Sequence, residues 1–166
     1  MLQIYDDQHR RIAGIDDPDD LKIEKTLSSG DKQISFSYPK TGSEIENLRA
    51  EYYIRTKDDE YVLKEISTGE NKNSYVAQLN IEELESQEFL YGFESVTQTA
   101  RACLEFAFDG TGWTVGNCTV TKRRTVSIDE TCNAWDVLQE VMDTYRCECK
   151  IDSIPVSYTH LRAHET

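Results

Sequence analysis

From Leu2 to Ile81 the chain alternates between apolar and polar residues in short runs, the period of strands with one buried and one wet face. Leu2-Gln-Ile-Tyr5 and Arg11-Ile-Ala-Gly-Ile15 flank the polar stretch Asp6 to Arg10, which predicts a hairpin with a loop longer than the two-residue kind. Leu21, Ile23 and Leu27 alternate with Lys22, Glu24 and Thr26. After the turn Ser28-Ser29-Gly30-Asp31, Ile34, Phe36 and Tyr38 alternate with Gln33, Ser35 and Ser37. Pro39, which has no N–H to give a ladder, ends that strand. Thr41 to Ala50 suits a short helix, with Ser43 and Glu46 as a capping box and Ile45 and Leu48 on one face. Glu51 to Thr56 and Tyr61 to Ile66 bracket the polar Lys57-Asp58-Asp59-Glu60 in a second hairpin. Tyr75, Ala77, Leu79 and Ile81 make one more alternating strand. About seven short strands with one crossover helix predict a small, strongly bent sheet or split barrel. Its wet outer face suits a subunit whose neighbours pack beside it.

The period then changes. Ile81 to Glu88 is acidic and reads as a connecting helical turn. From Thr97 the spacing lengthens to that of a helix: Ala100, Cys103, Leu104, Ala107 and Phe108 form one buried stripe. Gly110 suits the C′ position of that helix. Trp113 and Val115 open a strand, Gly116 marks a bend, and Val120, Val126 and Ile128 continue extended structure. A second helix starts near Asn133 as its cap, with Asp136 in the first turn. Its stripe is Trp135, Leu138, Met142 and Tyr145, with Val141 alongside, and Cys147 to Asp152 returns to strand. The fold class is therefore α+β. A mainly antiparallel, split-barrel-like domain spans residues 1–93, and a partial α+β domain spans residues 94–153. The stretch Asp109 to Cys118 is the joint of the second domain. It holds three of the eight glycines and one of the two tryptophans. Gly110, Gly112, Trp113, Gly116 and Trp135 are its candidate structural residues.

Charge removes several function classes. A net charge of −13 does not suit sequence-independent nucleic-acid binding, which needs clustered cations against phosphates. The one basic cluster, Lys122-Arg123-Arg124, lies in a Thr/Val-rich segment and reads as an exposed strand face. The N-terminus lacks the apolar core of a signal peptide, and no stretch reaches the roughly 18 apolar residues of a membrane span. Expression in a cytoplasm, without membrane insertion, is the expectation. Cys103, Cys118, Cys132, Cys147 and Cys149 follow no zinc spacing and read as reduced, mostly buried thiols. Cys147 and Cys149 would share one face of a strand. Asp16-Asp17-Pro18-Asp19-Asp20 lacks the glycine and the terminal glutamate of a calcium loop and reads as a solvated acidic loop. No nucleotide loop, zinc-protease motif or nucleophile elbow is present, and no cofactor is implied. His9 sits in a turn with no Cys or Ser near it in sequence. The other carboxylates fall at turns or outward strand positions, so a two-carboxylate hydrolase site has no local support.

Several stretches, weak singly, share their order and spacing with one family. They are Leu2-Gln-Ile-Tyr-Asp6, Leu21-Lys-Ile-Glu-Lys25, Ile34-Ser-Phe-Ser-Tyr-Pro39, Glu51-Tyr-Tyr-Ile-Arg55 and Tyr61-Val-Leu-Lys-Glu-Ile66. They continue with Gly110-Thr-Gly-Trp-Thr-Val-Gly116 and Ala134-Trp-Asp-Val-Leu138 leading to Cys149-Lys-Ile-Asp152. In these the chain resembles the N-terminal region of phage tail-hub proteins, the minor structural protein group related to prophage endopeptidase tail and tail-associated lysin proteins. The resemblance implies a homotrimeric hub at the virion tail tip, assembled in the host bacterial cytoplasm. It also implies docking to the distal tail protein ring, contact with tail tube or tape-measure protein, and support of a C-terminal fibre or cell-wall hydrolase. It carries over no catalytic residue. Val156 to Thr166 resembles a translated sequencing-adapter tail, so residues 154–166 are set aside as non-native and the reading frame is expected to be truncated. Two rival readings remain: a carbohydrate-binding module using an exposed Trp113 or Trp135, and part of a wall hydrolase.

Overall fold

The computed structural model describes residues 1–26 and 28–154, together with the backbone of 160–165. It divides into two compact units, one of residues 1–26 and 31–80, the other of residues 27–30 and 81–166. The second unit begins before the expected 93/94 boundary because the acidic connector packs within it. Leu84 is fully buried there, and the strand that follows pairs with Cys132–Asn133.

The first unit is one antiparallel sheet of seven strands: β1 (Leu2–Tyr5), β2 (Arg11–Ile15), β3 (Asp19–Lys25), β4 (Lys32–Pro39), β5 (Tyr53–Arg55), β6 (Glu60–Thr68) and β7 (Lys72–Leu79). Their spatial order is β2-β1-β5-β6-β7-β4-β3, so β2 and β3 are the edges. Alternation is clearest in β4 and β7, which lie between other strands. In β4, Ile34 and Phe36 are buried, and they face Ala77 and Tyr75 of β7 across the ladder. Phe36 and Tyr75 stack with ring centroids 5.2 Å apart.

The pattern misleads in three places. Leu21 and Ile23 are exposed, because β3 is an edge strand whose apolar phase has nothing over it. Leu27 lies outside the described residues. Thr41 to Ala50 forms only a single 3-10 turn, Ile45–Asn47, and the Ser43 hydroxyl turns to Glu44 instead of capping it. A ten-residue stretch with a weak apolar stripe has little to hold an α-helix, and only Leu48 here finds the core. Finally, Glu60 to Leu63 is buried continuously, the mark of a central strand covered on both faces.

The second unit has α1 (Glu82–Ser86), β8 (Glu88–Phe89), β9 (Phe93–Thr99), α2 (Ala100–Ala107), β10 (Thr114–Cys118), β11 (Arg123–Ile128), β12 (Cys132–Asn133), α3 (Ala134–Tyr145), β13 (Cys147–Lys150) and β14 (His160–Glu165). Strands β9 and β11 form an antiparallel ribbon. The backbone of β14 lies between β10, to which it is parallel, and β13, to which it is antiparallel. Of the stretch expected to be non-native, residues 155–159 and 166 lie outside the described residues.

Both long helices have side-chain N-caps, and that of α3 is the expected Asn133. The Thr99 hydroxyl accepts the Ala102 N–H at the start of α2. Asn133 and Asp136 make a reciprocal capping box at the start of α3, each side chain accepting the other's N–H at 2.9 Å. The buried face of α3 is Ala134, Val137, Leu138, Val141, Met142 and Tyr145. Trp135 is only half-buried and flanks that face, a correction to the stripe read from sequence. Ala134 and Val137 take the position assigned to the tryptophan, because the helical phase through Leu138 and Val141 selects them. No helix among the described residues is long and apolar enough to cross a membrane.

Candidate functional site

The glycine joint is ordered by its own backbone and hydroxyls. After α2, the first residue past the cap is Asp109, and Gly110 follows it with φ +79°, one position later than expected. Gly112 is also left-handed, at φ +83°, and neither glycine has an atom within reach of an added Cβ. Their requirement is therefore conformational, not spatial. The Thr111 hydroxyl donates to Phe108 O at 2.7 Å and accepts the Trp113 N–H at 3.1 Å. Trp113 is buried, and its indole N–H points to a Glu83 carboxylate oxygen 3.3 Å away. Arg101 donates to the carbonyls of Val115 and Gly116, anchoring α2 to β10 where the strand register slips. Trp113 is buried and so is lost to a sugar-stacking role, while Trp135 is half-buried.

A shallow groove of about 400 Å³ runs beside α3, lined in part by Glu130, Cys132, Asp136, Glu140 and Asp143. Its carboxylates face solvent, and Asp136 is held in the capping box. Burial and the nearby Asp136 carboxylate push the Cys132 thiol above its ordinary pKa, which keeps it an unreactive thiol. Of the remaining cysteines, Cys103, Cys147 and Cys149 are buried, the last two on one face of β13, and Cys118 is half-buried. Burial raises the Cys103 thiol to about 11.

The densest polar chemistry lies in the first unit, at positions that read as a solvated turn. Glu60 is fully buried at the start of β6. Its Oε2 accepts from Arg55 Nε at 3.1 Å and Nη2 at 2.6 Å, and its Oε1 accepts from Asn80 Nδ2 at 2.8 Å. His9 Nε2 stands 3.2 Å from Oε1, and because a carboxylate only accepts, this contact requires the imidazole proton on Nε2. The His9 ring stacks on Tyr53 with centroids 3.9 Å apart, and Arg55 lies 4.2 Å over the Tyr5 ring. Next to it, buried Lys32 donates to both oxygens of buried Asp59, at 2.9 and 2.7 Å. Burial and the Asp59 charge together push the Tyr61 phenol well above its usual range.

Both Glu60 oxygens are filled by donors from the β1–β2 turn, β5 and the residue after β7, so the carboxylate fastens one end of the sheet. Two signals for it were present in the sequence. Lys32 stands two residues before Ile34, in the inward phase of β4, and Glu60 stands two before Val62. His9, far from any nucleophile in sequence, is a structural partner here, with no Cys or Ser in its contacts.

Two family models cover nearly the whole chain. The prophage endopeptidase tail N-terminal domain matches residues 2–83, and the prophage endopeptidase tail domain matches residues 87–161. No curated protein matches the sequence. Among solved structures, the fold is similar to that of prophage tail protein gp18 from Listeria monocytogenes, with TM-score 0.69 and 15% identity over 97% of this chain and 50% of that one. A tail protein from Neisseria meningitidis gives TM-score 0.63 at 6% identity, over 96% of this chain and 49% of that one. The 43 kDa tail protein of prophage MuSo2 from Shewanella oneidensis gives 0.61 at 10%, over 98% and 53%. The chain thus spans about half the length of the structures it matches. The two consecutive domain models, on an α+β fold shared with prophage tail proteins, establish that the chain belongs to the prophage endopeptidase tail family of phage tail proteins.

Proposed function

We propose that the chain is the N-terminal hub region of a phage tail tip and that it acts by assembly, without catalysis of its own. In this reading the subunit forms a homotrimer, docks against the distal tail protein ring, and meets tube or tape-measure protein on its axis. Its C-terminal side supports a fibre or cell-wall hydrolase. The observation that carries the reading is the pair of adjacent tail-domain matches over residues 2–83 and 87–161. The side-chain chemistry agrees with it. The buried carboxylates are consumed in fastening the sheet, and the groove beside α3 holds solvated acids. The net charge of −13 suits a surface that repels DNA passing through a tail.

The test is to place an epitope tag in the exposed Glu70-Asn71 turn of the full-length protein in a tail-producing lysogen and locate it by immunogold microscopy. The expected result is label at the distal tip of every tail, with tails failing to complete when the gene is deleted. Label along the tube, or normal tails in the deletion strain, would overturn the hub assignment.

A further inference from the structure

The ribbon of β9 and β11 carries surfaces of opposite character at its two ends. At the Phe93/Ile128 end, the turn from Phe89 closes with the Gly92 N–H on Phe89 O at 3.2 Å and pushes two side chains outward. Leu90 is 63% exposed and Tyr91 98%. Phe106, in the last turn of α2, is 66% exposed and rests against Phe93, with centroids 5.8 Å apart. Phe93 in turn meets Phe89 edge-on at 5.1 Å.

The tip is held rigidly. Gly92 has φ +85°, and a Cβ there would sit 2.2 Å from Ile128 O. The Thr131 hydroxyl donates to Leu90 O at 2.8 Å. A contact made by this tip therefore loses little chain entropy on forming. Aromatic side chains offer about 150–250 Å² each, so Tyr91, Phe106 and Leu90 expose on the order of 400 Å². That is about half of one side of a standard protein interface.

Charge says what covers it. Three of the four rings of the tip have an exposed glutamate beside them in sequence: Glu88 before Phe89, Glu94 after Phe93, and Glu105 before Phe106, the last of these paired with Arg101 at 3.3 Å. At the opposite end of the ribbon, where Thr99 faces Arg123, the exposed residues are Lys122, Arg123 and Arg124. From Asn73 to Tyr145 the sequence holds no other cation except Arg101. The two ends are separated by the length of β9, about 20 Å. A two-fold contact of tip on tip would set glutamates against glutamates.

We propose that copies of this chain associate head to tail, the aromatic, acid-flanked tip of one copy docking on the Lys122–Arg124 end of the next. Arginine stacks on aromatic faces while pairing with carboxylates, so the basic end matches both elements of the tip. Two different patches make the contact heterologous, the kind that forms a ring when its rotation closes. The inference deepens the reading of the chain as an assembling subunit and rests on it only in taking a second copy as the partner.

Sedimentation velocity of the 166-residue chain over a wide concentration range tests it. The wild-type chain is expected to self-associate reversibly, more tightly at low salt. Y91S/F106S and R123E/R124E should each weaken association at least about tenfold, a loss readable as a shifted dissociation constant. E88K/E94K/E105K repeats the tip arm without touching the apolar support. Each variant has one intact end, so a mixture of Y91S/F106S with R123E/R124E should form a heterodimer that grows no further. A monomeric wild-type chain, association untouched by both variants, or a silent mixture would each overturn the contact. None of these outcomes bears on the tail family assignment, and the hub reading fails instead on where the label sits in tails.

Discussion

Replacing Glu60 by glutamine isolates the charge at the centre of the buried cluster while preserving its shape. Glu60 accepts four hydrogen bonds, two of them from the Arg55 guanidinium. Glutamine keeps one acceptor oxygen and turns the other into an NH2 that must face a donor. If it faces Arg55, two charge-assisted bonds are lost, each worth about 1.5–3 kcal/mol. If it faces Asn80 and His9, those two bonds are lost and the Arg55 pair loses its charge. Arg55 is 19% exposed and recovers some hydration, which brings the expected cost of E60Q to about 3 kcal/mol, at the lower edge of what breaking a buried pair costs. With a urea m-value of about 2 kcal/mol/M, the midpoint should fall by roughly 1.5 M with m unchanged. R55Q alone should cost at least as much, because it strands a carboxylate with no exposure. The double variant R55Q/E60Q should cost less than the sum of the two. Urea titration followed by far-UV circular dichroism reads the midpoint, and peptide-resolved amide exchange should show lost protection in β1, β5 and β6. An E60Q midpoint within about 0.3 M of wild type would mean that the charge contributes nothing and the reasoning is wrong.

Three further outcomes are expected. The Arg10 N–H beside Asp6, aided by the Arg10 guanidinium and the Gln8 N–H, holds that carboxyl below its ordinary 3.8, so its contribution is fully present well above that value and is lost as pH falls through the lower folded value. The stability difference between wild type and D6N should therefore close on acidification, and a constant difference would contradict it. The Cys103 thiol, raised to about 11 from 9.0, ionises in the unfolded chain first, so stability should fall by about 2–3 kcal/mol as pH rises between those values, and C103A should lack that loss. G92A adds a Cβ against Ile128 O at a left-handed φ and should cost at least about 3 kcal/mol by thermal melting, whereas G110A, with open space around it, should cost about 1–2 kcal/mol.

Alternation made most of the first sheet legible, because a central strand with one buried face writes its period into the chain. β4 and β7 show this most clearly. Where an edge removed the cover, as at Leu21 and Ile23, the same alternation overstated burial: sequence records which side chains are apolar, and topology decides which are covered. The buried cluster was the larger miss. Lys57 to Glu60 has the composition of a solvated turn, and Asp59 and Glu60 are buried because Lys32, Asn80 and His9 arrive from distant points of the chain and Arg55 from the neighbouring strand. The strand phase marks Lys32 and Glu60 as inward, but local pattern does not name the partners that meet them there. Trp135 was misplaced for a simpler reason: a large ring was favoured over Ala134, though the helical phase selects the alanine. The cap of α3 is readable because it is set by two residues three apart, Asn133 and Asp136.

The strand order of the first sheet also sets how it must be built. The β1–β2, β3–β4, β5–β6 and β6–β7 pairs join strands adjacent in sequence, and each closes a short loop. Two seams are different in kind: β1 with β5, where Gln3 meets Arg55, and β4 with β7, where Pro39 meets Lys72. Short-range pairs form quickly, and distant seams wait on loop closure, so the hairpins should precede the sheet and the seams should set the folding rate. Glu60 reaches across the first of these seams to His9 beyond β1, while its partner Arg55 lies in the same β5–β6 hairpin. Its carboxylate thus acts as a latch on the slow step, and its removal should retard refolding more than any substitution within a single hairpin.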